Sequence, residues 1–166
     1  MKSSSNRVAL YGMCVSLAFI LSYIESMFPM VGIPGMKLGL TNMVVLFALY
    51  SMNAKSAFMI NILRILLVAF TFGNLQSLWF ALAGGMLSFI VMVLLKKLNI
   101  FGIMAVSVSG SVFHNVGQIL VAMIVLNTTN IIWYLGVLCI SGVVAGSVVG
   151  ILTGMTLSKL KKHLDI

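Results

Sequence analysis

Apolar residues run along this chain in six long, nearly continuous blocks, each closed by a short polar, glycine or proline interruption. Blocks that are apolar around most of their circumference predict helices whose solvent is lipid, near 7–28, 38–53, 55–72, 77–96, 102–126 and 131–158. The second is the shortest, and Asn53, Ala54, Lys55 and Ser56 form the polar turn that divides it from the third. The expected fold class is all-α: a single polytopic membrane domain with six transmembrane helices.

Composition sharpens this picture. The chain has 166 residues, 61% hydrophobic and 7% charged, with a mean hydropathy of +1.20, whereas soluble domains carry roughly 25% charged residues. Six spans of about 20 residues each leave no room for a soluble domain. The net charge of +8 does not point to nucleic acid, because the basic residues sit singly or in pairs at the ends of apolar blocks. Lys2, Arg7, Lys55, Lys96, Lys97, Lys159, Lys161 and Lys162 fall on one side if six spans are counted, which predicts cytoplasmic termini. The loops near 27–37, 72–76 and 127–130 then face outward, and the Asn127-Thr128-Thr129 sequon carries no weight so close to the membrane.

Met1 to Ala18 has the outline of a signal peptide, but its apolar run continues through Leu21 without an A-x-A site, so a retained span is expected. Cys14 and Cys139 lie within apolar blocks at no ligand-like spacing, and read as packing residues. No metal site and no cofactor is expected.

Small residues mark two helix faces. Gly142, Gly146, Gly150 and Gly154 repeat every four residues in the last helix and predict a smooth face for close helix approach, within the bundle or on a partner. Ala9, Gly12 and Ser16 make a shorter face on the first helix, a candidate docking surface for a partner helix or for helix six. Ala83, Gly84 and Gly85 predict close packing or a mild kink in the fourth helix.

Polar residues inside the blocks carry the candidate chemistry, since each needs an internal partner or a water-filled cavity. Arg64 lies about 13 Å along its helix from Lys55, too deep to snorkel easily. Ser107, Ser111, His114, Asn115 and Gln118 share one face of helix five, Ser22, Glu25 and Ser26 one face of helix one, and Asn61 stands a turn before Arg64. These groups gather from the midplane toward the outer surface, where the stretch PGMKLGLTN, Pro34 to Asn42, also ends. The expected site is an outward pocket roofed by that loop, with Lys37, Thr41 and Asn42 at its rim and Glu25, Asn61, Arg64, His114, Asn115 and Gln118 within. Excess positive charge there predicts an anionic or strongly polar ligand, and free N–H groups at the start of helix two suit an anion.

The runs SYIESMFPMVGIPGMKLGLTNMVVLFALY, NILRILL, LAGGMLSFIVMVLLKKL and VSGSVFHNVGQILVA together resemble the bacterial membrane family called heptaprenyl diphosphate synthase component I, also labelled the Gx transporter family. Its most specific parts here are Pro34 to Asn42 and His114 to Gln118. That family is similar in turn to the S-components of energy-coupling factor (ECF) transporters, six-helix proteins that capture vitamins or metal ions from outside. The resemblance implies a transmembrane coupling subunit and two ATPases as partners, and a bacterial cytoplasmic membrane location. In S-components an alanine pair on helix one contacts the coupling subunit; this chain has Ala9, Gly12 and Ser16 instead.

The enzyme label meets a chemical objection. Chain-elongating prenyl synthases hold Mg²⁺ and diphosphate with aspartate-rich clusters, and this chain has two acidic residues in all, Glu25 and Asp165. It also lacks a G-x-x-x-x-G-K-[ST] phosphate loop. The expectation is a noncatalytic protein: an S-component that binds a vitamin or a quinone or isoprenoid precursor, or an accessory membrane subunit of a prenyl synthase in menaquinone biosynthesis. A proton-coupled carrier using Glu25 and His114 is a third reading, resting on a single carboxylate.

Overall fold

The computed structural model describes residues 4–27 and 40–164. Pro34, Gly35 and Lys37 of the loop stretch, together with Lys2 and Asp165, lie outside the described residues. The described chain is all-α: α1 (Ser4–Met27), α2 (Asn42–Ser51), α3 (Ala54–Thr71), α4 (Leu75–Leu98), α5 (Ile103–Val125) and α6 (Tyr134–Leu164), the last preceded by a 3₁₀ turn at Asn130–Trp133.

Local chemistry sets several boundaries. Asn53 caps α3 by accepting from the Ser56 N–H at 2.8 Å. Asn74 and Ser77 form a reciprocal capping box at the start of α4. That helix ends at Asn99 in the left-handed region, φ 56°, with Lys96 and Lys97 in its last turn, where positive charge suits the helix dipole.

Among the described residues five helices, α1, α3, α4, α5 and α6, are long and apolar enough to cross a membrane. The helix expected at 38–53 is shorter than anticipated: Leu40 and Thr41 form a turn, and α2 begins at Asn42. Its 10 residues rise about 15 Å, half of a hydrocarbon core about 30 Å thick. The reason for its all-round apolarity is burial in protein. Val44, Val45, Leu46, Ala48 and Leu49 are core residues, and α2 packs against every other α-helix. A central helix of this kind needs no lipid-facing side.

Around α2, the largest interfaces join α4 to α5 and α5 to α6. Glycines make both possible. A Cβ on Gly117 would sit 2.7 Å from the Ala83 carbonyl oxygen, and one on Gly146 would sit 2.7 Å from Val108 Cα. Gly142 and Gly150 likewise press on the α5 backbone, at Val112 Cα and Met104 Cα. The four-residue glycine repeat is thus an internal seam over three of its positions. Gly154 departs from it, with nothing within 4 Å of an added Cβ. In contrast, α1 packs only on α2 and α3, and much of its surface is exposed.

Gly146→Ala should lower the thermal stability of the detergent-solubilised protein by about 1–3 kcal/mol, the usual range for overpacking against backbone. Gly154→Ala should stay within about 0.5 kcal/mol of the parent. Thermal unfolding of the two variants side by side checks the seam.

Candidate functional site

The polar centre is built on Arg64, midway along α3 and only 5% exposed. A buried guanidinium requires acceptors for its N–H groups. Two neighbouring elements supply them. Nη1 donates to Thr41 Oγ1, in the turn before α2, and Nη2 donates to Asn61 Oδ1 at 2.8 Å, one turn earlier on α3. Asn61 then donates from Nδ2 to the Gly85 carbonyl of α4 at 3.2 Å. Gly85 has to be small here, because a Cβ would lie 2.9 Å from Ile65 Cδ1 and 3.4 Å from Asn61 Nδ2.

The network extends outward from the guanidinium on three sides. Glu25, near the end of α1 and buried, accepts from the Leu40 N–H at 3.3 Å and lies close enough for its charge to act on Arg64. Asn42, the first residue of α2, is 3.4 Å from Ser88 Oγ on α4. Ser88 in turn faces Gly110 of α5, where an added Cβ would be 3.3 Å from its hydroxyl. His114 stacks its ring edge on Gly84, with Nδ1 and Cε1 each 3.0 Å from an added Cβ.

The stripe on α5 divides between two tasks. Asn115 donates to the Leu138 carbonyl at 2.6 Å and Ser107 to the Gly146 carbonyl at 2.7 Å, so these two side chains pin α5 to α6. Their burial is accounted for by helix packing. Since Gly110 and Gly117 face α4, and Val108 and Val112 face α6, His114 and Gln118 lie between those two faces, toward the bundle interior.

Several buried polar atoms have no hydrogen-bond partner among the described residues: Arg64 Nε, Gln118 Oε1, Ser22 Oγ, Ser111 Oγ and Thr153 Oγ1. Native proteins leave few such atoms. Of these, Arg64 Nε belongs to the guanidinium at the centre of the network, and buried polar groups left over in this way are where ordered water is commonly held.

The sequence-predicted set is therefore brought together in large part. Thr41, Asn61 and Arg64 are joined through hydrogen bonds and Glu25 through charge; Asn42, next after Thr41, bonds Ser88, His114 meets Gly84 beside Gly85, and Gln118 is buried one turn further along α5. Asn115 is turned to α6, Ser26 is exposed and bonded to the Tyr23 carbonyl, and Lys37 lies outside the described residues. Ser88 was not anticipated; its position three and four residues after Gly85 and Gly84 was the available signal, and it is 0% exposed. Thr153 was missed in the same way. On α1, Ala9, Gly12 and Ser16 are exposed, and an added Cβ at Gly12 meets nothing within 4 Å. Among the described residues no three His, Cys, Asp or Glu side chains come together.

Long apolar helices around a buried polar centre define a polytopic, all-α membrane protein. Within that class, the chain belongs to the heptaprenyl diphosphate synthase component I family, whose family model matches residues 14–156. Comparison with curated proteins and with solved structures gives no match.

Thr41→Val removes the acceptor of Arg64 Nη1 at nearly constant volume and leaves a buried charged donor unpaired. It should destabilise the protein by about 1–3 kcal/mol. Ser26→Ala, on the exposed side of the same end of the bundle, should change stability by less than about 0.5 kcal/mol. Thermal unfolding in one detergent compares them.

Proposed function

We propose that this chain is the substrate-binding S-component of an ECF-type transporter, holding a small polar or anionic metabolite at Arg64. One observation carries the reading: a buried guanidinium whose Nη groups are fixed by neutral acceptors, while its Nε has no hydrogen-bond partner among the described residues. A network serving packing alone tends toward full satisfaction. The ligand class is a vitamin or a quinone or isoprenoid precursor. The partners are a transmembrane coupling subunit and two ATPases.

In this reading the chain makes six crossings of the bacterial cytoplasmic membrane, and both termini are cytoplasmic. The basic residues support that orientation. Tyr11 hydrogen-bonds Ser56, next to Lys55, and Lys96 donates to the Leu49 carbonyl while lying over the Tyr50 ring. The start of α1, the end of α2, the start of α3 and the end of α4 therefore share one basic end. The Glu25–Leu40 contact, at the end of α1 and just before α2, lies toward the opposite end. The chain itself performs no catalysis, since two carboxylates cannot assemble a Mg²⁺–diphosphate centre.

The family description favours a second reading, a noncatalytic membrane component of heptaprenyl diphosphate synthase. A separate subunit would then carry the catalytic aspartates.

Mild-detergent purification of the tagged chain from its native membrane, with mass spectrometry of proteins and small molecules, tests both. A coupling subunit with ATPases and a retained metabolite is the expected result, and Arg64→Gln should abolish metabolite retention while the folded bundle survives. Recovery of a prenyl synthase without ATPases would replace the first reading with the second.

A further inference from the structure

Apolar surface that helices leave uncovered inside a membrane must be filled, because a void forfeits the dispersion contacts of its lining. One such surface lies where α1 and α6 do not meet. There α2 is recessed between them and forms the floor of a groove of about 490 Å³, within the usual size of ligand sites, roughly 300–1,000 Å³. Leu10, Met13 and Leu17 make one wall, Met43 and Phe47 the floor, and Thr156 and Leu160 the far wall.

The lining decides what can fill it. It holds no charged residue, and the Thr156 hydroxyl already donates to the Leu152 carbonyl at 2.8 Å. The exposed Ser16 is the only other hydroxyl there, so a water would lack the two to four polar partners it needs. A transmembrane helix fits no better. Helices in lipid associate where small residues let backbones draw near, but the groove presents Leu, Met and Phe side chains, and Ala9 and Gly12 lie outside its lining. A flexible hydrocarbon chain meets neither obstacle, and the thioethers of Met13 and Met43 adapt to its shape.

The groove also has the depth of one leaflet. Leu10, Met13, Leu17 and Ile20 form a continuous stripe on α1, about 15 Å long against a hydrocarbon core about 30 Å thick. The apolar span of α1 starts at Val8, which puts the start of the stripe about 3 Å inside the core and its end near the midplane.

We propose that this groove holds one acyl chain of a membrane phospholipid, from the leaflet at the N-terminal end of α1. The acyl chain stands in for the missing α1–α6 contact, touching three helices at once. Such a site is independent of both functional readings above and needs only a membrane-spanning protein.

Photolabelling tests it, with the protein in nanodiscs of dioleoylphosphatidylcholine that contain a small fraction of phosphatidylcholine carrying a diazirine on one acyl chain. Lipid around the bundle labels any exposed apolar residue, whereas Met43 and Phe47 are half-buried on the recessed floor. Label on α2, read by peptide mass spectrometry, is therefore expected only from an acyl chain inside the groove. Met13→Trp and Leu17→Trp, at wall positions 69% and 48% exposed, should each lower that label about tenfold, the change that 1.4 kcal/mol produces. Val137→Trp, 67% exposed and outside the groove, should leave it unchanged. An unlabelled α2 would overturn the site, and would assign the groove to a second copy if the protein were dimeric in the same discs. Label on α2 indifferent to both wall variants, or label concentrated instead on Leu67 and Thr71 in the hollow between α1 and α3, would overturn it as well.

Discussion

The cost of holding a guanidinium inside an apolar bundle organises this protein. Arg64 is too deep to reach water by extending its side chain, so the surrounding chain must bring acceptors to it. Thr41 comes from the turn before α2 and Asn61 from α3 itself, and Asn61 passes the connection to the α4 backbone at Gly85. These bonds tie three helices together at one depth. They also explain why α2 starts late: the two residues ahead of it form a turn that carries Thr41 to the guanidinium and presents the Leu40 N–H to Glu25.

Close helix approach provides the rest of the scaffold. Lipid tails are as apolar as the helix surfaces, so helices in a membrane associate through dispersion contacts and hydrogen bonds, and both improve as backbones draw near. Gly84 and Gly117 allow this between α4 and α5, and Gly142, Gly146 and Gly150 between α5 and α6. Ser107 and Asn115 then reach α6 carbonyls directly. With α4, α5 and α6 locked, the loosely attached element is α1, which touches only α2 and α3. Its exposed Ala9, Gly12 and Ser16 face and the groove beside it are consequences of that peripheral position.

Two contrasting environments follow from one architecture. Around Arg64 the environment is polar, enclosed and supplied with unused hydrogen-bonding atoms. Across α2 it is an apolar slot between α1 and α6.

Hydropathy alone determined that the chain is an all-α membrane protein and placed four of its five long helices within three residues, α6 running six residues past its expected end, because a lipid solvent demands long apolar runs and leaves little else to specify. The need to satisfy buried charge made Arg64, Asn61 and Glu25 legible as well. Tertiary structure decided what a one-dimensional pattern cannot carry. An apolar helix reads alike whether it faces lipid or protein, so only packing revealed α2 as a short central helix. A polar stripe on α5 has one period but two neighbours, so only the positions of α4 and α6 separated His114 and Gln118 from the structural Ser107 and Asn115. Ser88, a single serine among apolar residues, acquired its role only when Asn42 and Gly110 were folded onto it.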